Sequence, residues 1–228
     1  MDNSLQTYEA QIAEINARDM ATGYDAPKLI ATIQKNQIVV STRGNPVPLK
    51  TYSQMTGHII AAVKSRGVRI AGLKVPECAS SDGGITGHLT SIEAGEITGL
   101  RTGQLCATCK YNKFGSAVDK EGNPGKGKRC SERRNLLFLH ADWSVPLILS
   151  LSSTSRGAWD AYAGGFAVAR PAGSYLEYTT LVGIEMKARL ENSAEQYGTA
   201  RFTAMERLSR EQVVDAFALR KMYESMLE

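Results

Sequence analysis

The chain has 228 residues, 43% apolar and 22% charged, an ordinary balance for a soluble globular protein and enough for one medium-sized domain or two small ones. The 27 Lys and Arg against 23 Asp and Glu leave only +4, yet nine basic and three acidic residues fall between Arg101 and Phe138, so that stretch carries +6 and the remainder −2. The longest apolar run, Val145 to Leu151, is interrupted by Pro146 and Ser150 and falls far short of the roughly 20 residues a membrane-spanning helix requires. Met1-Asp2-Asn3-Ser4-Leu5 lacks the basic start and apolar stretch of a secretory signal, so a cytoplasmic chain is expected.

Residues 1–50 read as an opening helix, with Leu5, Tyr8, Ile12 and Ile15 at helical spacing, followed by a looser segment after Asp25-Ala26-Pro27. Gln37 to Ser41, Ile59 to Val63 and Val68 to Leu73 are short β-branched runs that predict strands, with Ser65-Arg66-Gly67 as a turn between the last two. Residues 76–134 change character: they are rich in Gly, Ser, Thr and Lys, poor in apolar residues, and contain every cysteine. Such a segment is an insertion without a core of its own. Asn135 to Ala141 and Pro146 to Ser150 predict strands around a tight connection, and Trp159, Tyr162, Phe166 and Ala169 predict a helix over 155–169.

From Tyr178 to Leu190 the alternation predicts a strand with one face buried (Tyr178, Thr180, Val182, Ile184, Met186, Ala188 and Leu190) and Glu185, Lys187 and Arg189 on the other; Gly198 to Met205 is its expected hairpin partner across Glu191 to Gln196. Ser209-Arg210-Glu211-Gln212 has capping-box form, and Val213, Phe217, Leu219, Tyr223 and Met226 give the final helix its apolar side. These elements predict a mostly β chain with flanking helices (α+β), a small curved sheet or barrel rather than alternating βαβ units. The expected division is 1–50, a β domain over 51–205 carrying the 76–134 insertion, and a helix over 206–228.

Cys106-Ala107-Thr108-Cys109 is followed after 20 residues by Cys130, with Cys78 upstream. A two-residue gap lets both thiolates of a knuckle reach one ion, and Zn2+ prefers four soft ligands in a tetrahedron, so Cys78, Cys106, Cys109 and Cys130 would close the shell. His140 is an alternative fourth ligand and His88 a weaker one. A plainer reading is four unrelated buried thiols acting as small apolar residues. A shell closed by four protein ligands has no open position for activating water; its work is to fold the insertion around the ion.

Cys78-Ala79-Ser80-Ser81-Asp82-Gly83-Gly84-Ile85-Thr86-Gly87, then Cys106-Ala107-Thr108-Cys109-Lys110-Tyr111-Asn112-Lys113-Phe114-Gly115-Ser116, then Gly125-Lys126-Gly127-Lys128-Arg129-Cys130, resemble a pattern in bacteriophage proteins regarded as single-stranded-DNA-binding proteins of OB-like fold with a zinc-binding insertion. The resemblance continues through Pro146-Leu147-Ile148-Leu149 and Ser155 and covers about residues 76 to 190. It implies that Cys78 is the fourth ligand, that the strands on either side belong to one OB-like barrel, and that the chain works in a host cytoplasm.

Within the metal loop, Lys110, Tyr111, Lys113, Phe114, Lys120, Lys126, Lys128 and Arg129, followed by Arg133 and Arg134, interleave cations with aromatics. Cations attract phosphates and exposed rings stack on unpaired bases, at about 1–3 kcal/mol per base, so single-stranded nucleic acid is the expected partner. The plainer alternative leaves the lysines solvated and packs Tyr111 and Phe114 on the metal knuckle.

Gly122-Asn123-Pro124-Gly125-Lys126-Gly127-Lys128 fits most of a phosphate-binding loop, but Arg129 stands where Ser or Thr would hold Mg2+. None of His58, His88 and His140 has a glutamate two residues later, as zinc deaminases need, and Gly-x-Ser-x-Gly does not occur. The chain is therefore expected not to be an enzyme. A second class of partner is a polymerase or other replication or transcription protein, on which a zinc-ribbon adaptor would dock. Trp143 and Trp159 read as core or sheet-edge anchors, Trp143 also as a stacking platform, and the final helix is suited to capping the barrel or joining a second copy.

Overall fold

The computed structural model describes residues 28–43, 45, 47–68, 78–80, 85–93, 96–118, 122–169, 171, 173–188 and 196–227. The expected opening helix, all but the first residue of the 68–73 run, Lys120 and residues 189–195 lie outside them. Eleven strands and two helices are found among the described residues: β1 (Leu29–Gln34), β2 (Gln37–Thr42), β3 (Lys50–Tyr52), β4 (Met55–Val68), β5 (Cys78–Ser80), β6 (Thr86–Glu93), β7 (Glu96–Leu105), β8 (Ser131–His140), β9 (Leu147–Leu151), α1 (Ser153–Val168), β10 (Tyr178–Ala188), β11 (Gln196–Arg207) and α2 (Arg210–Tyr223).

The strands pair in the order β3-β2-β1-β9-β8-β4-β5-β6-β7, with β10 joined to β4 and β11 to β10. Neighbours are antiparallel except β1 and β9. The mostly β expectation with flanking helices therefore stands. The sheet forks at β4: β8 runs along one edge, while the other edge takes β10 at Met55–His58 and β5 at Arg66–Val68. This division curls the sheet into a half-barrel. Its inner side carries Ile38, Val40, Ile59, Leu136, Phe138, Leu147, Leu149 and Val182, closed by Trp159 of α1. The outer side presents Ile60, Ala61, Leu137 and Ile148 to Ala216, Tyr223 and Leu227 of the C-terminal helical segment. Strict alternation, as at Leu136, Leu137 and Phe138, feeds both layers from the same strands.

Ser65-Arg66-Gly67 is not a turn. β4 runs straight through it, because Lys64, Ser65, Arg66 and Gly67 pair with Arg134, Arg133, Glu132 and Ser131 of β8. A β-bulge between Ile59 and Ala61 preserves the inward phase on either side. In β10 only the first half of the expected buried face is buried. Thr180 and Val182 are fully covered, whereas Met186 is exposed, because pairing with β4 ends at Val182 and the β10–β11 hairpin runs on past it.

The capping box of α2 is formed: Ser209 Oγ accepts from the Gln212 N–H at 3.3 Å and Gln212 Oε1 from the Ser209 N–H at 2.9 Å. Its apolar side is shifted from the expected one. Ala216 and Tyr223 face the sheet, while Phe217, about 100° further round, is exposed. Tyr223, Met226 and Leu227 cap the sheet as expected of a covering helix, and Met222 faces outward. Trp159 is a core residue, and Trp143 is a partly buried anchor whose Nε1–H donates to the Tyr52 hydroxyl at 3.0 Å.

Candidate metal centre and basic loop

The β4–β8 ribbon extends beyond the barrel core. Along its inner side the apolar residues give way first to Lys64, Arg66, Glu132 and Arg134, then to Val68, Cys78 and Cys130, on which Tyr111 packs. Cys78 is held by β5, which pairs with the end of β4 and with β6. Cys106 and Cys109 occupy the turn that follows β7, and Cys130 immediately precedes β8. Backbone bonds lock the turn: Cys106 N–H to Ile85 O at 2.8 Å, Asn112 N–H to Cys109 O at 3.0 Å, and Cys130 N–H to Tyr111 O at 2.8 Å. Asn112 Nδ2 donates to Cys106 O at 2.9 Å.

All four thiols are buried, and none forms a disulfide. Among the described residues, the apolar side chains packed with Cys78 and Cys130 are Val68 and part of Tyr111. Gly87 lies between two of them: a Cβ there would meet Cys78 Sγ at 2.9 Å and Cys106 Sγ at 3.7 Å. Cys130 is within electrostatic reach of Cys106 and Cys109. Burial pushes its pKa up, the Arg66 charge pulls it down, the two neighbouring thiols raise it and the Gly67 backbone lowers it, with a net rise. The thiols are therefore neighbours, although among the described residues no three or more Cys, His, Asp or Glu side chains are drawn into a closed ion-holding group. His140 stands at the other end of β8, ten residues from Cys130, roughly 30 Å away at about 3.3 Å per residue. That distance removes it as a fourth ligand. It belongs instead to a clip in which Tyr52 OH donates to Asp142 Oδ2 at 2.8 Å and the Asp142 N–H donates to His140 Nδ1 at 3.1 Å. The side chain of His88 lies outside the described set.

Beyond the Cys106–Cys109 turn, residues 113–118 lie against residues 122–129. Gly115, with φ +84°, donates to Gly127 O at 3.0 Å, Ala117 N–H to Gly127 O at 3.0 Å, and Gly125 N–H to Ala117 O at 2.7 Å. Ser116 Oγ accepts from the Arg129 N–H at 3.0 Å and lies 2.6 Å from the Lys113 carbonyl. This small hairpin separates the two aromatic rings. Tyr111 is half-buried against the thiols with Lys110 Nζ 4.8 Å and the Arg129 guanidinium 5.1 Å from its ring centre. Phe114 is 80% exposed, with Lys128 Nζ 4.9 Å from its ring centre. Lys128 also donates to Asn112 Oδ1 at 3.2 Å.

Lys110, Lys113, Phe114, Lys126 and Lys128 thus share the loop surface, with Arg129 half-buried beside them. Arg134 does not join them: it points to the inner side and donates to Asp160 Oδ1 at 3.1 Å. Arg133 alternates to the opposite side of β8.

Sequence reasoning missed a charge network joining this ribbon to α1. Glu132 receives Arg66 and Arg156 in close ion pairs, with Lys64 at 3.8 Å, and Arg156 Nε lies 3.7 Å from Asp160. Burial alone would raise the Glu132 pKa; Arg66, Lys64, Arg156 and Arg134 together outweigh it and hold it below the ordinary value. The available signal was the i, i+2 pattern of Lys64 and Arg66, with Arg156 and Asp160 at i, i+4. Protein-family models, curated proteins and solved structures gave no match to this chain.

Proposed function

We propose that this protein binds single-stranded nucleic acid, DNA foremost, through a zinc-closed basic loop set on an OB-like half-barrel, and that it performs no covalent chemistry. The observation that carries the reading is Phe114: a large aromatic ring 80% exposed on a hydrogen-bonded hairpin, with a lysine ammonium over it. Such a ring adds nothing to a core, and it offers a stacking face beside phosphate-neutralising cations. Lys110, Lys113, Lys126, Lys128 and Arg129 supply that charge, with Tyr111 buttressing the loop from within.

The connectivity supports the OB-like reading. With β5, β6 and β7 set aside as part of the connection between β4 and β8, the order β4, β8, β9, α1, β10, β11 gives five strands with a helix between the third and fourth, and the first strand is flanked by the second and the fourth. The basic loop then occupies the connection between strands one and two, one of the two loops through which OB folds bind oligonucleotides. β1 lies parallel to β9, where a closed barrel would have the fifth strand. The C-terminal helical segment covers the outer side of β4, β8 and β9, which shifts the contact surface from the strands to the loop.

Cys78, Cys106, Cys109 and Cys130 fit a structural Zn2+: four buried thiols without disulfides, on elements too poor in apolar side chains to fold alone, with Gly87 leaving the sulfurs room to approach. Bound there, the ion would supply folding energy to the loop. Fluorescence anisotropy with an oligothymidylate and a duplex control, across a salt series, tests the reading. Tight, salt-sensitive binding to the single strand supports it; no binding to either at low salt overturns it in favour of docking on a polymerase or other replication or transcription protein.

A further inference from the structure

Arg66 projects from β4 toward the same side as Glu132 and lies two residues before Val68, which packs on Cys78 and Cys130. Its Nη2 is taken by Glu132 Oε1, and the other carboxylate oxygen of Glu132 is taken by Arg156. The Arg66 Nε is buried and has no hydrogen-bond partner. A buried N–H of a charged group left unpaired carries a large desolvation penalty. No anion arriving from solvent can relieve it, because the atom exposes less than 1 Å2. Any acceptor must be internal: Cys130, two residues before Glu132 and so diagonally across from Arg66 on the same side of the ribbon, presents a buried sulfur to that region, outside hydrogen-bond distance of the Nε in this structure.

We propose that Arg66 is a positioning residue of the metal centre: held in place by Glu132, it would donate Nε–H to the Cys130 thiolate once the four sulfurs close on the ion, and offset part of the negative charge that four thiolates leave around one dication. The inference rests on the zinc reading above. It extends that reading by linking the centre through Arg66, Glu132 and Arg156 to the first turns of α1, so that the metal loop and the barrel core share one charge network. Outer partners of this kind commonly alter metal affinity 10–100-fold without being ligands.

The test uses the full chain as wild type, Arg66→Gln and Arg66→Lys, with zinc affinity measured by chelator competition and the sulfur-to-metal charge-transfer band recorded after Co2+ substitution. The wild type should hold one metal per chain, which tests the zinc reading separately; a metal-free wild type overturns both. Arg66→Gln should keep the one-to-one stoichiometry, lose about 10–100-fold in affinity, and move the Co2+ band to longer wavelength, since a thiolate relieved of a hydrogen bond is the better electron donor. Arg66→Lys keeps the charge but not the planar fork, so it should fall between the two. If Arg66→Gln does not fold, the lysine variant decides alone. Wild-type affinity in Arg66→Lys, or weakened binding with an unmoved band in either variant, overturns the proposal.

Discussion

Replacing Phe114 by alanine separates stacking from electrostatics. The ring is 80% exposed, with the Lys128 ammonium 4.9 Å from its centre. Its removal should leave folding stability within about 0.5 kcal/mol of wild type, as is usual for surface substitutions. A base stacked on it is worth about 1–3 kcal/mol, and at about 1.4 kcal/mol per tenfold that predicts a 5- to 150-fold loss of affinity for single-stranded DNA. The slope of log affinity against log salt should not change, because no phosphate contact is removed. Charge reversal at Lys126, Lys128 and Arg129 should behave oppositely, reducing that slope by about 2 at roughly 0.7 per phosphate on single strands. Anisotropy titrations of both variants at several salt concentrations, with thermal melts as control, measure these quantities. An affinity within twofold of wild type for Phe114→Ala, with Phe114→Trp equally indifferent, would refute the stacking argument.

Gly87→Ala should weaken zinc binding in chelator competition, since its Cβ would stand 2.9 Å from Cys78 Sγ; unchanged affinity would show that the sulfurs do not need that space. Ser155→Ala should cost about 1–3 kcal/mol in urea unfolding, because the buried Ala200 N–H, which donates to Ser155 Oγ at 2.9 Å, is left unpaired. The Glu132 pKa is depressed in the folded chain, so its contribution to stability is full above the ordinary carboxylate range and is lost as pH falls through the folded value. Denaturant midpoints measured from pH 7 down to pH 3 should therefore fall less steeply for Glu132→Gln than for wild type, and parallel curves would show that the ion network is not what titrates.

The sequence made β8, β9, the β10–β11 hairpin and the helix cap legible because each combines a clean period with a local stop signal. β1 was hidden: Leu29, Ala31 and Ile33 alternate weakly, and the turn that follows places Lys35 at φ +54°, where glycine or asparagine would have advertised a hairpin. The false turn at Ser65-Arg66-Gly67 has a similar origin, since its residues are turn-like locally and become a strand only through pairing with β8, 66 positions distant at Arg66 and Glu132. That Cys106 and Cys109 share one turn was readable because a two-residue gap is local. The partition of the two loop aromatics was not, because Tyr111 turns inward and Phe114 outward according to a hairpin built from backbone hydrogen bonds.

The account depends on a metal-shaped loop that grips an unpaired strand, and the most direct measurement is the affinity for an oligothymidylate of the same preparation as purified, after zinc removal by a chelator under reducing conditions, and after zinc is restored. Affinity that collapses on removal and returns with one equivalent of zinc is the predicted result. Equal affinity in all three states would contradict it.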